Sequence, residues 1–362
     1  MRVAINASFW PRTDTGSGQY VRRLVEHLSA LESPPQLLLL PPSARPSSWT
    51  ENLHKVWFEQ VTFPRACQRE GVDVAHVPYW APPLTPTVPT VVTIHDVIPL
   101  VLREYRGGPA ARAYTALVTT AAARAALVLT DSEASRQDIL AHLPVAEERV
   151  RVIPLAADPR YSPLPAADDA AVRARYALPE RYLLYLGGFD RRKNVAATLA
   201  AQTWVGSVLG AACPLVVAGR LPERDTPFAP DPRRQAREMG LAADWVRFIG
   251  AVPDEDKPAL YRGAVAFVFP SRYEGFGLPP LEALACGTPV IGSNAASLPE
   301  VVGNAGVLLD PDDTAGMAGA LLQLADDADF RAELSRRALT QAARFSWEKT
   351  ARETLRAYEE AR

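Results

Sequence analysis

Two glutamates and several loop-forming residues stand close together in the segment from Phe269 to Ile291. The order of residue types in this segment is that of a strand, a loop, a helix and a second strand. Gly275 and Gly277 expose backbone amides before the helix, and Pro279 and Pro280 suit a first helical turn, where a missing N–H costs nothing. Because amides at a helix N-terminus favour an anion, the segment predicts a site for a group such as phosphate.

The two carboxylates of this segment, Glu274 and Glu282, are eight positions apart. Glu274 lies in the predicted loop and Glu282 on the predicted helix, so they can address different parts of one ligand. A carboxylate accepts hydrogen bonds from hydroxyl groups, which suits the hydroxyls of a sugar or a ribose. Solvent-exposed glutamates and turn-forming glycines would explain each residue alone but not their combination.

A second glycine loop with basic residues runs from Gly187 to Asn194 and follows a predicted strand. The glycines permit close approach of a ligand, Asn194 can cap the following helix, and Arg192 with Lys193 supply positive charge for a diphosphate. The alternative is a solvated basic turn. Helix starts normally favour acidic residues, so three consecutive cations there favour a bound anion.

His95 and Asp96 end another predicted strand of the first half. An imidazole at this edge could donate to a substrate hydroxyl or phosphate, and Asp96 would orient it or cap the next turn. The alternative is a strand-end histidine that bonds only to backbone.

The loop with Gly16 and Gly18, which follows the first strand and precedes a helix, is a weaker candidate for anion binding. It does not match G-x-G-x-x-G, so dinucleotide binding gains little support.

Twelve short β-rich runs alternate with helical patterns, which indicates βαβ units and two doubly wound parallel sheets. The first six runs are Val3–Asn6, Leu37–Leu40, Val74–His76, Val91–His95, Leu127–Thr130 and Val150–Ile153. The other six are Tyr182–Leu186, Leu215–Ala218, Val246–Ile249, Ala266–Phe269, Val290–Ile291 and Val307–Leu309.

A Pro-, Ala- and Asp-rich stretch, Pro159–Pro179, interrupts this rhythm and is interpreted as a linker. We therefore predict domains at 1–165 and 166–346, with a C-terminal helix at 347–362 that joins the first domain. Ligands of such sheets collect at the carboxyl ends of the strands, where the candidate residues stand.

The composition excludes several classes of protein. The chain has 362 residues, 48% hydrophobic and 22% charged, with a formal net charge of -2, which argues against a disordered or nucleic-acid-binding protein. Its three cysteines have neither disulfide nor zinc spacing, and the chain lacks a clear D-x-D metal motif. With no signal or membrane-spanning pattern, we expect a cytoplasmic protein.

Over nearly the whole chain these motifs resemble the retaining glycosyltransferases of family 4, whose two Rossmann-like α/β domains face each other across a cleft in the arrangement called GT-B. The shared motifs are the opening glycine loop, T-I-H-D at 93–96, D-S-E-x-S-R at 131–136, R-K-N at 192–194 and E-G-F-G-L-P-P-L-E at 274–282.

The resemblance implies a role for each matched position. Arg192 and Lys193 would hold the donor diphosphate together with the amides around Phe276, Gly277 and Leu278. Glu282 would bind ribose, while Glu274 and His95 would contact the transferred sugar. The remaining assignments place Gly16 and Gly18 beside the diphosphate and acceptor, Asn194 in the phosphate loop and Val252 at the base-contacting turn.

One position departs from the family pattern, because many relatives have an arginine where this chain has Gly188. Arg192 is expected to replace that charge, which leaves open how Arg191 and Arg192 divide the work. The segment 76–83, H-V-P-Y-W-A-P-P, is similar to bacterial mannosyltransferases that build surface polysaccharides.

The resemblance therefore predicts hexosyl transfer, with mannose from GDP-mannose as the first choice, to a saccharide or lipid-linked saccharide. It implies no cofactor and no metal, because protein cations take the place of Mg2+, and no nucleic-acid partner. A transient contact with the inner face of the membrane is left open. The alternatives are a UDP-hexose donor, a sugar-nucleotide epimerase of the same fold, which would need no acceptor, and a catalytically silent nucleotide-binding subunit.

Overall fold

The computed structural model describes residues 1–12 and 15–362 and divides them into two compact units. Unit 1 comprises Met1–Leu155 and Ser346–Arg362, and unit 2 comprises Ala156–Phe345. Each unit contains one six-stranded sheet in which all neighbouring strands are parallel. The predicted α/β class and the two parallel sheets are confirmed.

The sheet of unit 1 has the strand order β2-β1-β3-β4-β5-β6. Its strands are β1 (Arg2–Asn6), β2 (Gln36–Leu40), β3 (Val74–Val77), β4 (Thr90–Thr93), β5 (Leu127–Thr130) and β6 (Val150–Val152). Its helices are α1 (Gly16–Ser29), α2 (Glu51–Trp57), α3 (Phe63–Glu70), α4 (Ile98–Val101), α5 (Pro109–Ala122), α6 (Glu133–His142) and, from the end of the chain, α15 (Trp347–Ala361). The order reverses between β1 and β3, which makes the gap between them the topological switch point of this sheet.

The helix α1 buries Val21, Leu24 and Leu28, which lie at i, i+3 and i+7 on one face of the helix. Its first turn is capped by Thr15, whose hydroxyl accepts from the amide of Gly18 at 3.1 Å.

The C-terminal helix α15 belongs to unit 1 and is fixed there by buried hydrogen bonds. Tyr358 Oη and His76 Nδ1 lie 2.7 Å apart, and His76 Nε2 bonds Thr93 Oγ1 at 2.8 Å. The Tyr20 hydroxyl bonds the same Thr93 oxygen at 3.0 Å, so the chain of bonds runs from α15 through the sheet to α1. Burial lowers the pKa of His76 to about 3, which keeps this histidine neutral.

The sheet of unit 2 has the strand order β9-β8-β7-β10-β11-β12. Its strands are β7 (Leu183–Leu186), β8 (Leu215–Ala218), β9 (Val246–Gly250), β10 (Ala266–Phe269), β11 (Val290–Ser293) and β12 (Gly306–Leu309). Its helices are α7 (Asp169–Arg175), α8 (Val195–Leu209), α9 (Pro232–Glu238), α10 (Lys257–Gly263), α11 (Leu278–Ala285), α12 (Leu298–Val302), α13 (Thr314–Asp326) and α14 (Ala328–Ala342). This is the Rossmann order, and its switch point lies between β7 and β10.

Both faces of this second sheet are covered. Leu183 and Tyr185 pack into one apolar cluster, whereas the alternate residues Leu184 and Leu186 pack into another. Strands buried on both faces are therefore continuous apolar runs rather than alternating ones.

The predicted linker is wrong, because Pro159–Pro179 is an ordered part of unit 2. Tyr161 is buried, with its ring 5.9 Å from that of Tyr261, and α7 buries Val172 in the same apolar cluster. The first boundary between the units accordingly falls after Leu155, earlier than the predicted position at 165.

One helical stretch in the described part of the chain, Val195–Ala212, is apolar and long enough to cross a membrane by length and composition. Half of this stretch is buried within the protein, and its helix α8 packs into the core of unit 2. Core helices of globular domains share these properties, so the stretch is weak support for a membrane span.

Candidate active site

The strongest polar cluster of unit 2 lies at its switch point. Arg192 and Lys193 come from a 3-10 turn, Arg191–Lys193, in the segment after β7. Glu274 comes from the loop after β10, the strand next to β7 in the sheet. Parallel strands bring these two loops to the same edge, although 81 positions separate Lys193 from Glu274.

The carboxylate of Glu274 is held by both cations. Its Oε2 lies 2.7 Å from Arg192 Nη1, and its Oε1 lies 2.7 Å from Lys193 Nζ. The Ser271 hydroxyl donates to Oε1 at 2.5 Å. We call Arg192, Lys193 and Glu274 the charged clamp.

Further bonds fix the clamp to the loop after β10. Arg192 donates from Nη1 to the Tyr273 carbonyl at 2.7 Å, and its own carbonyl accepts from the Arg272 amide at 2.8 Å. The side chains of Arg192, Lys193 and Glu274 are only 12%, 15% and 12% exposed. The two cations are thus positioned by the protein itself, which is the condition for electrostatic stabilisation of a developing charge.

The clamp keeps Glu274 ionised. Burial alone would raise its pKa, but the charges of Lys193 and Arg192 outweigh that effect and lower the pKa below its usual value. Both oxygens of Glu274 bond to protein groups, so its predicted contact with the transferred sugar stays a prediction.

Asn194 does not cap the following helix through its side chain, contrary to the prediction. It adopts a left-handed conformation with φ 54°, and its side-chain amide donates to the Pro311 carbonyl at 2.7 Å. Asparagine tolerates this conformation better than most residues. The left-handed backbone at Asn194 ends the 3-10 turn, and α8 starts directly after it. Its role is to shape the loop that carries the cations.

Gly277 lies at the N-terminus of α11 with φ 112°, a conformation that favours glycine. Pro279 and Pro280 occupy the first turn of α11, as predicted. The loop before it is fixed by Ser297, whose hydroxyl bonds the carbonyls of Glu274 and Phe276 at 2.9 and 2.6 Å. The amides of Phe276, Gly277 and Leu278 therefore belong to a fixed loop, and their contact with phosphate stays a prediction.

Glu282, on α11, is buried and accepts a hydrogen bond from the Tyr261 hydroxyl at 3.1 Å. Burial raises its pKa to about 7, with the positive charge of Lys257 opposing the rise. Its carboxylate therefore changes charge near neutral pH.

This shift predicts a pH dependence of stability. Between about 4.5, the ordinary value, and about 7, the folded chain binds one more proton at Glu282 than the unfolded chain. The free energy of unfolding should therefore fall as pH rises through this window, by up to about 3 kcal/mol. Glu282→Gln should lack this contribution. Denaturant unfolding of both proteins from pH 4.5 to 8 measures the difference, and parallel curves would contradict it.

Val252 follows the end of β9 and is partly buried against the core of unit 2. Gly250, just before it, has φ 76°, so the chain turns sharply there. The predicted contact of this turn with a nucleotide base stays a prediction.

In unit 1, His95 is oriented by Asp131 and not by Asp96. His95 Nδ1 lies 2.7 Å from Asp131 Oδ2. Asp131 directly follows β5, the strand that pairs with β4. Asp96 instead accepts from the Ile98 amide at 3.1 Å and so caps the next turn, the other predicted role. The signal for Asp131 in the sequence is its position directly after the predicted strand Leu127–Thr130.

The second ring nitrogen of His95, Nε2, differs from Nδ1 in its partners. Within residues 1–12 and 15–362, Nε2 is buried and makes no hydrogen bond, although the Pro78 carbonyl is near enough to influence the ring. Burial lowers the pKa of His95, but the Asp131 carboxylate outweighs this effect and raises it above the ordinary value. A protonated ring presents Nε2–H as a hydrogen-bond donor.

Gly16 and Gly18 differ in what they contribute to the first glycine loop. A Cβ atom at Gly18 would lie 1.7 Å from the Arg12 carbonyl oxygen, whereas one at Gly16 would meet nothing within 4 Å. The Gly18 amide is already bonded to Thr15, so it is not a bare donor for an anion as the sequence suggests. Gly18 is required for close approach of the chain to itself.

This contrast predicts a difference between two matched variants. Gly18→Ala should destabilise the protein by about 1–3 kcal/mol, since the Arg12 carbonyl must move. Gly16→Ala should change stability by less than about 0.5 kcal/mol. Chemical denaturation of the two variants measures both values, and equal effects would contradict the packing argument.

In the described ranges, 1–12 and 15–362, no group of three or more His, Cys, Asp or Glu side chains forms a candidate metal centre. The structure brings Arg192, Lys193 and Glu274 together in unit 2, and it places His95 with Asp131 in unit 1.

Two family models match the chain, one in each half. Residues 15–161 match Glycosyltransferase Family 4, and residues 170–341 match Glycosyl transferases group 1. The second match contains the charged clamp and Glu282, and the first contains His95 and Asp131.

Curated relatives and solved structures agree with these models. The chain is 37% identical over 269 residues to O-antigen chain mannosyltransferase B of Escherichia coli, which covers 74% of this chain and 69% of the relative. It is 34% identical over 266 residues to the serotype-specific mannosyltransferase WbdA of E. coli, covering 72% of this chain but only 32% of that longer protein. The Anabaena protein HepE, solved with UDP-glucose, has the same fold, with a TM-score of 0.72 at 16% identity over 98% of both chains. With family models in both halves and close identity over most of one relative, the chain belongs to the family 4 glycosyltransferases of GT-B fold.

Proposed function

We propose that this enzyme transfers a mannosyl residue from GDP-mannose, with retention of configuration, to a saccharide or lipid-linked saccharide in surface polysaccharide synthesis. The observation that carries the choice of mannose is the 37% identity to an O-antigen chain mannosyltransferase over most of both chains. Within the same proposal the enzyme acts in the cytoplasm, where a transient contact with the inner membrane face would bring it to a lipid-linked acceptor.

The charged clamp supports the first half of this reaction. The bond between the anomeric carbon and the β-phosphate oxygen breaks, so negative charge grows on the departing diphosphate. Arg192 and Lys193 are fixed in the clamp, and together with the N-terminus of α11 they would stabilise that charge.

In the second half, an acceptor hydroxyl oxygen bonds the anomeric carbon on the face that the phosphate leaves. The hydroxyl proton passes to the departing phosphate oxygen, so the products are the elongated saccharide and GDP. The imidazole of His95, oriented by Asp131, would bond the donor sugar through Nε2.

A thermal-unfolding screen with GDP-mannose, GDP, UDP-glucose, and CDP- and ADP-sugars tests the donor. A ligand at a hundred times its Kd adds about 2.7 kcal/mol to the free energy of unfolding. We expect the largest stabilisation with GDP-mannose and GDP. A larger effect of UDP-glucose, the ligand of HepE, would favour a UDP-hexose donor, and no effect of any nucleotide would overturn the proposal.

The role assigned to the clamp also predicts that the enzyme needs no divalent cation. Transfer measured after dialysis against EDTA should match transfer in the presence of Mg2+, because Arg192 and Lys193 supply the positive charge. A loss of activity in EDTA that Mg2+ restores would contradict this prediction.

A further inference from the structure

A second polar cluster lies at the switch point of unit 1, where the loops after β1 and β3 meet. The Tyr79 hydroxyl and Ser8 Oγ lie 3.3 Å apart across these two loops. The rings of Phe9 and Tyr79 also pack edge to face, with centroids 4.8 Å apart. Ligands of open α/β sheets bind outside the carboxyl ends of strands at such a point.

The centre of this cluster is Glu59, which is fully buried. Its Oε1 accepts from the Tyr79 hydroxyl at 3.0 Å, and its Oε2 accepts from the Tyr114 hydroxyl at 2.8 Å. The ammonium group of Lys55, one helical turn before it, lies 3.6 Å from Oε1. Three side chains, from α2, the loop after β3 and α5, therefore converge on the one carboxylate of Glu59.

A fully buried carboxylate such as that of Glu59 is costly for a fold. Burial raises the pKa of Glu59, while the charge of Lys55 and the hydrogen bonds from Tyr114 and Tyr79 oppose the rise. Apolar residues of similar size usually stabilise such a position as well or better. A buried polar cluster that is present despite this loss of stability is expected at a binding site.

The backbone around Glu59 is also unusual. Residues Phe58–Thr62 form a π-helical turn between α2 and α3, a rare conformation that often occurs at functional sites. The turn also fixes the loop after β3, since Gln60 donates to the Pro82 carbonyl at 3.1 Å and accepts from the Leu84 amide at 2.8 Å.

Lys55 is the member of the cluster that a ligand can reach most easily. Its side chain is 42% exposed, and its ammonium group donates to the Tyr114 hydroxyl at 3.1 Å. An ammonium group has three N–H donors, so the bond to Tyr114 leaves donors for a ligand. The single positive charge of Lys55 is balanced by Glu59, which suits a neutral hydroxyl-rich ligand.

We propose that Ser8, Lys55, Glu59, Tyr79 and Tyr114 form the acceptor site, which binds hydroxyl groups of a neutral saccharide at the switch point of unit 1. Lys55 donates to the saccharide, and Glu59 is a positioning residue that holds Lys55 and the two tyrosines. This inference rests on the proposed function, since it names where that reaction takes its acceptor.

Direct binding of mannotetraose to the full chain tests the site without requiring transfer. Saturation-transfer NMR titrations would compare the wild type, Lys55→Met and a matched control, Lys349→Met, in which an exposed lysine of the same unit changes. We expect Lys55→Met to weaken binding at least tenfold, while the control binds as the wild type does. No binding to the wild type, or equal binding to all three proteins, would overturn the inference.

The steady-state constants separate the role of Glu59 from a purely structural one. Glu59→Gln should raise the KM for mannotetraose at least tenfold while the KM for GDP-mannose stays within twofold. A change in both KM values, or in kcat alone, would overturn the positioning role. If GDP-mannose fails to bind the wild type while mannotetraose binds at Lys55, the donor assignment fails and the acceptor site stands.

Discussion

Replacing Lys193 by alanine is expected to lower the rate of glycosyl transfer about a hundred- to a thousandfold while the protein stays folded. Lys193 lies 2.7 Å from Glu274 in the clamp, and its side chain is only 15% exposed, so its ammonium group is held in a fixed position. Loss of one fixed donor to a developing negative charge costs about 2.7 to 4 kcal/mol of transition-state stabilisation. Initial rates with saturating donor and acceptor measure the effect.

The neighbouring residue Arg191 provides the matched control. It carries the same charge in the same 3-10 turn, but its side chain is exposed. Arg191→Ala should therefore keep activity within about twofold, and thermal unfolding should show that both variants remain folded. Wild-type rates for Lys193→Ala would remove the clamp from the mechanism, and a large loss in Arg191→Ala would transfer the phosphate role to Arg191.

Replacing Glu274 by glutamine is expected to abolish most activity and to destabilise the protein by about 3 kcal/mol, because two cations with side chains only 12% and 15% exposed lose their shared counter-charge. A nucleoside diphosphate would restore a negative charge beside those cations. GDP should therefore raise the melting temperature of Glu274→Gln by more than it raises that of the wild type.

The control for Glu274 is Glu180→Gln, which removes a carboxylate from an exposed position of the same unit. This variant should match the wild type in stability, activity and response to GDP. Differential scanning calorimetry of the wild type and of Glu274→Gln, each with and without GDP, measures the four melting temperatures. A smaller GDP effect in Glu274→Gln would mean that the Glu274 carboxylate itself helps to hold the nucleotide.

Much of this architecture follows from local sequence patterns. The twelve strands are short apolar runs, and the eight inner ones are buried almost throughout, so they can be recognised without any tertiary information. The position of Arg192, Lys193 and Glu274 at strand ends was equally visible, because loops after parallel strands share one edge. What brings these three together is the strand order, in which β7 and β10 are neighbours.

Features that depend on packing over long distances could not be predicted in this way. Asp131 orients His95 only because β4 and β5 pair, and Asp96 next to His95 in sequence is the more obvious partner. The segment 159–179 has the composition of a linker, yet the burial of Tyr161 and Val172 places it in unit 2. Glu59 gave no signal, since a glutamate in a helical pattern is normally exposed.

The chain leaves unit 1 at Leu155 and returns to it at Ser346, so the bond between Tyr358 and His76 joins residues 282 positions apart. During synthesis on the ribosome, His76 and Thr93 must wait for α15 until all of unit 2 has emerged. At about 5–20 residues per second this interval is on the order of ten to forty seconds, time enough for unit 2 to fold first. We therefore expect unit 1 to be the part of the nascent enzyme that is more exposed to aggregation before synthesis ends.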